Sequence, residues 1–298
     1  MIKAGASIIH FLMRALGHLP MGFHRKAGEF IGWLAGSVLH YRREVVAINL
    51  SRSFPDLKYS EIKAITRKFY RHFGLIFTEA IRFGALKKAE DHRKMAKVTN
   101  PEVLEHAIEV SPSVIVLDTH CGNWEMMAGL YYYDLKTLHL QPEDVVVTYK
   151  QQKSALWNEV FRRNRTCVLP DPDGYEGYLE TKNVLRYVLT HKNEKKVYFF
   201  ITDQFPYTKN RMPIGEFMHQ PTVTMSAAAE LACRLGYSVL YKHDWRNDEG
   251  VHEITFTNIC DDASASDAQT IMRKYYDLLQ ADLQKHPENY LWTHKRWK

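Results

Sequence analysis

The sequence predicts an α/β fold in which one mixed sheet is flanked by helices and preceded by an N-terminal amphipathic helical segment. From about residue 113, short apolar runs typical of buried strands alternate with segments whose apolar residues recur every three or four positions. Before residue 46 the chain is instead basic and apolar together. No internal repeat or linker rich in Gly, Ser or Pro divides the remainder. We therefore predict a helical segment over 1–45 and a single α/β domain over 46–298.

The N-terminal segment carries most of the excess charge of the chain. Its six cationic and two anionic side chains give a net +4 of the formal +6 of the whole chain. Its longest apolar run, 30–39, is well short of the roughly 20 residues that a membrane span needs. Amphipathic helices of this composition lie in anionic membrane surfaces. We expect such an interfacial segment; a helical subdomain packed on the core and a strained single-pass anchor are the alternatives.

Apolar spacing and helix breakers define the elements that follow. A helix over 42–54 ends before Pro55, and a long amphipathic helix capped by Ser60 continues to about Phe83. Asn100 and Pro101 begin another helix. Beyond them the pattern predicts strands at 114–117, 145–149, 167–169, 196–202, 239–242 and 253–258. It predicts helices at 124–133, 154–163, 178–190, 223–235 with Thr222 as the cap, and from Ser266 to before Pro287.

The clearest functional signal is the turn between the strand at 114–117 and the helix that starts at Trp124. Here His120 follows the strand end, and Glu125 lies in the first helical turn, close enough in sequence to hydrogen-bond the imidazole. Histidine can take a proton near neutral pH. We predict that His120 removes a proton from a hydroxyl that attacks an acyl carbonyl, with Glu125 orienting it. A chance pairing, and Cys121 as a nucleophile, are the alternatives.

Two further groups of polar residues flank this turn in the predicted sheet. Four cations surround the helix after the strand at 145–149, and they could hold an anionic group or form a solvated helix face. They are Lys150, Arg162, Arg163 and Arg165. Asp203 and Gln204 directly follow the strand at 196–202, where a carboxylate either faces the ligand crevice or caps a turn.

Several classes of function are not supported by the residue patterns. The four cysteines show no paired spacing, which predicts reduced thiols, in the cytoplasm or on the cytoplasmic side of a membrane, without a disulfide framework or zinc site. The candidate ligand residues lack metal-binding spacing, so we expect no metal. No glycine-rich phosphate loop is present, which argues against nucleotide use. The C-terminal aromatic and cationic residues match no nucleic-acid module, so we expect no nucleic-acid partner.

The stretch His120-Cys-Gly-Asn-Trp-Glu125 resembles the His-x-x-x-x-Asp/Glu motif of glycerolipid-type acyltransferases. It is most similar to the form found in the late, lauroyl or myristoyl, acyltransferases of lipid A biosynthesis. The resemblance extends in order from about residue 45 to the last residue. The further blocks are Asn49-Leu50 with Ser53-Phe54-Pro55, Tyr149-Lys150, Arg165, Asp203-Gln204, 217–224 and 287–298. Cys121 departs from this pattern, because an aromatic residue is often seen there.

This resemblance implies an enzyme that moves a fatty acyl chain from an acyl carrier protein thioester to a hydroxyl of a lipid A precursor. It implies the cytoplasmic face of the inner membrane, a membrane surface as partner, and no cofactor besides the thioester co-substrate. The implied catalytic residues are His120, Glu125, Arg165 and Asp203. We predict substrate contacts from Asn123, Trp124, Tyr149, Lys150, Arg162 and Gln204. The rival interpretations are an acyltransferase for another lipid hydroxyl and a non-catalytic protein that binds membrane surfaces.

Overall fold

A computed structural model of the chain describes residues 2–133, 140–167, 169, 171, 174–206 and 211–298. Over these residues the α-helices are α1 (Ile2–Gly17), α2 (Met21–Trp33), α3 (Arg43–Ser53), α4 (Tyr59–Phe83), α5 (Ala89–Arg93), α6 (Pro101–Val110), α7 (Ala155–Thr166), α8 (Val184–Thr190), α9 (Ala227–Leu235) and α10 (Ala268–Lys285). The strands are β1 (Ala96–Val98), β2 (Val114–Asp118), β3 (Val145–Tyr149), β4 (Tyr178–Glu180), β5 (Val197–Ile201), β6 (Met212–Phe217), β7 (Gln220–Thr224), β8 (Ser238–Arg246) and β9 (His252–Cys260). A π-helical turn (Leu34–Val38) continues α2, and a 3₁₀ helix (Trp124–Tyr132) follows β2.

The described strands form a mixed sheet with β2 at its centre, which confirms the predicted fold class. The strand order is β1-β9-β8-β2-β5-β3-β4, and β6 and β7 form a separate hairpin. Strands β8, β2, β5, β3 and β4 run parallel, whereas β8 and β9 are antiparallel. The carboxyl ends of β2, β5 and β3 therefore lie at one edge of the sheet, where α/β proteins form their ligand crevices.

Helices cover both faces of the sheet, and the central strand contributes to both layers. Ile115 and Leu117 belong to the apolar cluster formed with α3, α4, α9 and α10. Val114 and Val116 belong to the opposite cluster, formed with α6 and the 3₁₀ helix. This alternation follows from the two-residue period of a strand. All four side chains are fully buried, so β2 is a fixed support for the residues that follow it.

The N-terminal helices form a hairpin that packs on α4, and α1 also contacts α7. The approach is close because glycines face each other: a Cβ on Gly74 would lie 2.0 Å from the backbone oxygen of Gly28. The outer face of α1 nevertheless exposes Ile8, Phe11 and Leu12. The segment is thus both packed on the rest of the chain and apolar on its outer side. Within the described residues, no helix combines the length and the apolar character needed to cross a bilayer.

Some predicted elements differ from the observed ones for identifiable reasons. Residues 178–180 form β4 rather than the start of a helix, because their backbone pairs with β3. The sequence predicts a polar loop after residue 202 and a helix cap at Thr222. Thr222 instead lies in β7, and residues 212–224 form the β6–β7 hairpin. Its turn residues, Met218 and His219, have positive φ angles, although Gly and Asn usually signal such turns. The strand predicted at 167–169 is not formed at Cys167, which is the C-cap residue of α7. Val168, also in that prediction, lies outside the described residues.

Candidate active site

His120 and Asp203 lie side by side at the carboxyl edge of the sheet because of the register between β2 and β5. Asp118 is opposite Ile201 at the ends of these parallel strands. Each strand is followed two residues later by a polar side chain, His120 after β2 and Asp203 after β5. The sequence predicted both positions, but the pairing follows only from the strand order.

The imidazole of His120 hydrogen-bonds to the carboxylate of Asp203, with 2.7 Å between Nδ1 and Oδ1. Because the carboxylate only accepts, Nδ1 carries the proton of this bond, and Nε2 has a lone pair when the imidazole is neutral. Burial raises the pKa of Asp203, but the charge of His120 and this hydrogen bond outweigh burial and hold the pKa below its usual value. Asp203 is 1% exposed and His120 is 17% exposed, so the imidazole reaches the surface from a buried anchor.

Glu125 does not take the place that the sequence predicted for it. Its carboxylate binds the guanidinium of Arg165 through two hydrogen bonds of 2.6 Å, from Nε and from Nη2. The two groups still interact electrostatically, because the charge of a protonated His120 contributes to lowering the pKa of Glu125. Burial raises the pKa of Glu125, but Arg165 outweighs this effect and keeps the carboxyl ionised. The correction is therefore that Asp203 orients the imidazole directly, while Arg165 orients Glu125.

Aromatic rings enclose the guanidinium of Arg165. Its Nη1 donates a hydrogen bond to the hydroxyl of Tyr178, and its Cζ lies 5.3 Å from the ring centroid of Phe161. The ring of Tyr149 stacks on that of Tyr178 with 4.0 Å between centroids. Burial raises the pKa of Tyr178 to about 12, so its hydroxyl stays protonated. Tyr149 was predicted from the sequence, whereas Tyr178 was missed because its short strand resembled a helix start.

Trp124 and Gln204 complete the surroundings of the imidazole. The ring centroid of Trp124 lies 4.8 Å from that of His120, edge to face. Nε2 of Gln204 lies 3.1 Å from Nε2 of His120, where it can donate to the free lone pair. Both residues are partly exposed, so the structure brings these two predicted residues to the reactive nitrogen.

Asn123 is placed differently from the substrate contact predicted for it. It is fully buried. Its Oδ1 accepts from the backbone N–H of Glu125 at 3.2 Å, and its Nδ2 donates to Ile76 O and Glu79 Oε2 at 3.2 and 3.0 Å. A fully buried amide has no surface to offer a substrate, so Asn123 holds the turn between His120 and Glu125.

The predicted cationic group separates into two parts. Arg165 enters the site, whereas Arg162 and Arg163 pair with Glu159 on the same helix at 3.0 and 2.6 Å. Lys150 follows β3 at the carboxyl edge and is exposed. The structure therefore places Arg165 beside Glu125 in the candidate site and joins the other two arginines to a carboxylate outside it.

A buried network of charged residues lies behind the His120–Glu125 turn. Lys242 on β8 lies 2.9 Å from Asp118 and 3.4 Å from Asp244. His252 on β9 connects Asp244 and Glu79 through its two ring nitrogens, at 2.7 and 3.1 Å. A histidine between two carboxylates must donate from both nitrogens. Burial lowers its pKa, but the two carboxylates outweigh burial and raise it.

The same network receives Arg246, which binds Glu79 through two hydrogen bonds of 2.9 and 2.7 Å. With His252 protonated, three cations balance three carboxylates inside the protein, as buried charges require. The sequence reading missed this network. Lys242, Asp244 and Arg246 were its available signal, because charged side chains in a strand of a buried sheet need partners.

The network touches the His120–Glu125 turn on both sides. Asp118 directly ends β2, and the backbone N–H of Asn123 donates to Asp244 at 3.2 Å. Between them Gly122 has φ +62°, and a Cβ there would lie 2.1 Å from Cγ of Asp244. The turn therefore needs glycine at this position, both for its backbone conformation and for the close approach of the carboxylate.

Residues 289–294 also contact the candidate site and define what we call the C-terminal wall. Asn289 accepts from the backbone N–H of Gly122 at 3.3 Å, and the hydroxyl of Tyr290 donates to the backbone oxygen of Asp203 at 3.3 Å. Asn49 fixes the following segment by donating to the backbone oxygens of Trp292 and His294 at 2.8 and 2.9 Å. The aromatic and cationic tail is thus an internal wall of the site.

Two alternative chemistries can be compared with this geometry. Cys121 is 2% exposed, and burial raises the pKa of its thiol well above the ordinary value. A buried thiol is a poor nucleophile, which disfavours the cysteine alternative. Within the part of the chain that the structure describes, no group of three or more His, Cys, Asp or Glu side chains is arranged to hold a metal ion.

Comparison with known proteins identifies the family of the chain. A family model described as bacterial lipid A biosynthesis acyltransferase matches residues 1–298, the whole chain. A search of curated proteins finds no match. Since the family model covers every residue, including the His120–Glu125 turn and the C-terminal wall, the chain belongs to the bacterial lipid A biosynthesis acyltransferase family.

Proposed function

We propose that this protein transfers a fatty acyl chain from a thioester on acyl carrier protein to a hydroxyl of a lipid A precursor. Its membership in a family of lipid A acyltransferases supports the reaction class. The observation that carries the proposal is the 2.7 Å hydrogen bond between His120 Nδ1 and Asp203 Oδ1. It leaves the outward Nε2 as a base at the carboxyl edge of the sheet.

The reaction is direct transfer without an acyl-enzyme intermediate. Nε2 of His120 takes the proton of the acceptor hydroxyl as its oxygen bonds to the acyl carbon. The tetrahedral intermediate then collapses, the carbon–sulfur bond breaks, and the imidazolium returns the proton to the leaving thiolate. The contact between Gln204 and Nε2 is replaced by the acceptor hydroxyl at the start of this sequence.

Two carboxylates share the stabilisation of the imidazolium. Asp203 accepts from Nδ1 and stays ionised, so it fixes the ring orientation and opposes the developing charge. Glu125 adds its charge while Arg165 holds it in place. Arg165 is 18% exposed, and its remaining surface is offered to an anionic part of a substrate.

The surface of the N-terminal hairpin supports a position at a membrane. Its exposed apolar residues alternate with cations, as in helices that lie in a bilayer interface. They include Phe11 and Phe30, 71% and 60% exposed. We propose peripheral association with the cytoplasmic face of the inner membrane, where a lipid acceptor and a cytoplasmic acyl carrier protein meet.

The test is an assay with purified acyl carrier protein thioesters of several chain lengths and a lipid A precursor that carries free hydroxyls. Mass spectrometry of the lipid product identifies the acylated species. His120→Ala should reduce transfer by about 100- to 10,000-fold. His106→Ala is the matched control, since His106 is an exposed histidine on α6; it should retain wild-type transfer.

Near-normal transfer by a folded His120→Ala protein would overturn the base assignment. Transfer to other lipid hydroxyls in the same assay, with none to the lipid A precursor, would overturn the proposed acceptor but not the proposed acyl transfer. A protein that binds vesicles but transfers no acyl chain to any acceptor would support the non-catalytic alternative.

A further inference from the structure

A cleft of about 460 Å³ opens between the N-terminal hairpin and the first half of α4, outside the proposed catalytic site. We call it the basic cleft. Its walls come from the end of α2, the π-helical turn, Arg43 at the start of α3, and the stretch of α4 from Lys63 to Arg71. Its volume lies in the range of sites that hold a small ligand or a lipid headgroup.

Cationic side chains dominate this cleft. Arg43, Lys63, Arg67 and Arg71 line it together with one carboxylate, Glu29. Glu29 forms its ion pair with Arg71. Among the described residues that line the cleft, Glu29 is the one carboxylate beside four cations. Three arginines and a lysine around one cavity are suited to a phosphate, which accepts several charge-assisted hydrogen bonds.

Trp33 connects the basic cleft to the apolar surface of the hairpin. It lines the cleft, and its ring contacts that of Phe30 with 5.7 Å between centroids. Phe30, Trp33 and Leu39 are 60%, 55% and 66% exposed. Tryptophan at a membrane surface sits at the level of the headgroups. The cations next to Trp33 therefore lie at the depth of lipid phosphates when the apolar residues enter the bilayer.

The floor of the cleft is fixed before any ligand arrives. Tyr70 lies at the bottom, 4% exposed, and its hydroxyl donates to the backbone oxygen of Tyr41 at 2.6 Å. The ring of Tyr41 stacks on that of Phe73, which lies on α4 like Tyr70, with 5.9 Å between the ring centroids. The backbone of Arg42 has a positive φ of 50°, and its side chain donates to Thr293 O at 3.0 Å. These contacts set the position of Arg43 at the rim.

We propose that the basic cleft binds the phosphate of an anionic phospholipid headgroup and so fixes the orientation of the protein on the bilayer. The acidic surface of a carrier protein is the other anionic candidate. It is disfavoured because the cleft shares Trp33 with an exposed apolar surface, which matches a headgroup with acyl chains beneath it. The basic cleft takes no part in the proposed acyl transfer, so the lipid-binding proposal can be wrong while the proposed reaction is right.

The experiment measures binding of the full chain to vesicles of phosphatidylcholine, alone or mixed with phosphatidylglycerol. Binding to monomeric dihexanoyl phosphatidylglycerol and to inorganic phosphate is measured in parallel. The wild type should prefer the vesicles that contain phosphatidylglycerol and bind the short-chain lipid saturably. Lys63→Gln with Arg67→Gln should weaken the preference by about 25-fold, since each cation near an anionic surface contributes about five-fold.

The matched control is Lys3→Gln with Lys26→Gln, which removes the same charge from exposed positions on α1 and α2. It should lower vesicle binding less and leave binding of the short-chain lipid unchanged. Equal losses in both double variants would indicate diffuse attraction and overturn the site. Transfer activity with detergent-dispersed substrates should be unchanged in both variants, which separates this inference from the proposed reaction.

Two other outcomes would also reject the lipid assignment. Binding of inorganic phosphate as tight as binding of the lipid, without preference for anionic vesicles, would indicate a site for a free anion. Loss of acyl carrier protein binding in the cleft variant, with vesicle binding intact, would assign the cleft to the protein partner.

Discussion

Nζ of Lys242 and Oδ1 of Asp118 lie 2.9 Å apart, and neither side chain is exposed to solvent. Burial lowers the pKa of Lys242, but the carboxylates of Asp118 and Asp244 outweigh it and keep the ammonium charged. Asp118 ends the strand from which His120 projects two residues later. The ion pair thus joins the central strand to β8 directly beneath the catalytic turn.

Removal of this lysine should destabilise the protein strongly. Lys242→Met leaves Asp118 without its cation inside the protein, and breaking a buried pair from one side costs about 3–5 kcal/mol. Urea denaturation followed by circular dichroism measures the loss. Lys242→Met combined with Asp118→Asn should recover part of it, because no unpaired charge then remains at the strand end. A single variant as stable as the wild type would contradict the charge assignment.

Replacement of Gly122 by alanine should impair the catalytic turn more than the fold. The positive φ costs an alanine about 1–2 kcal/mol, and its Cβ would meet the carboxylate of Asp244. We expect a lower melting temperature and a kcat reduced by at least ten-fold. Gly22→Ala is the control, because nothing lies within 4 Å of a Cβ there. Equal behaviour of the two variants in both measurements would contradict this argument.

The two carboxylates near His120 should separate in kinetics. Asp203→Asn removes the negative charge that opposes the imidazolium and lets an amide N–H favour the wrong tautomer of His120, so kcat should fall by about 100- to 10,000-fold with little change in KM. Glu125→Gln chiefly releases Arg165, so KM should rise with a smaller effect on kcat. Steady-state kinetics with both substrates varied distinguish the two patterns. The reverse assignment, with Glu125 dominating kcat, would restore the interpretation drawn from the sequence.

Arg165→Lys tests whether the guanidinium is needed for its shape. A lysine keeps the charge but cannot make the two parallel hydrogen bonds to Glu125. We expect a KM increased by about ten-fold or more, as the loss of one charge-assisted hydrogen bond implies. Arg163→Lys is the matched control on the same helix, since Arg163 pairs with Glu159 outside the candidate active site. Unchanged kinetics for Arg165→Lys would remove this role.

His72 should make the protein sensitive to acid. Burial, followed by the charge of Arg246, lowers the pKa of His72 to about 3. Its neutral form therefore contributes stability above the ordinary histidine value of 6.5, and this contribution is lost as the pH falls from 6.5 toward 3. His72→Gln keeps an acceptor for Arg246 but does not titrate. The free energy of unfolding at pH 7 and pH 5 should differ less in this variant than in the wild type.

His106→Gln, on the surface of α6, is the control for this pH experiment and should follow the wild type. A His72→Gln protein with the same loss of stability between pH 7 and pH 5 as the wild type would show that other groups set the acid response.

Local features of the sequence explain why most of the fold and the position of the site could be predicted. The apolar run of β2 and the glycine after Cys121 mark a strand and a turn without reference to any other part of the chain. The same holds for Asp203, which directly follows an apolar strand. Such features depend only on neighbours along the sequence, so they are readable before folding.

The pairing of side chains was predicted less well because it depends on strand order. Glu125 is five residues from His120, and Asp203 is 83 residues away, yet Asp203 reaches the imidazole because β5 lies beside β2. Arg165 then captures Glu125 with two hydrogen bonds that no spacing rule indicates. The contact between Glu79 and His252 joins residues 173 positions apart, so neighbours along the sequence cannot predict it either.

The C-terminal wall has a consequence for the order of folding during synthesis. Asn289 and Tyr290 supply contacts to Gly122 and Asp203, so the candidate site cannot be completed on the ribosome while these residues remain in the exit tunnel. An unfinished chain exposes the sheet edge and its buried charges to the cytoplasm. Nascent chains of this protein should therefore depend on chaperones until residues 289 and 290 have left the exit tunnel, and pausing shortly before residue 289 should lower the yield of active protein.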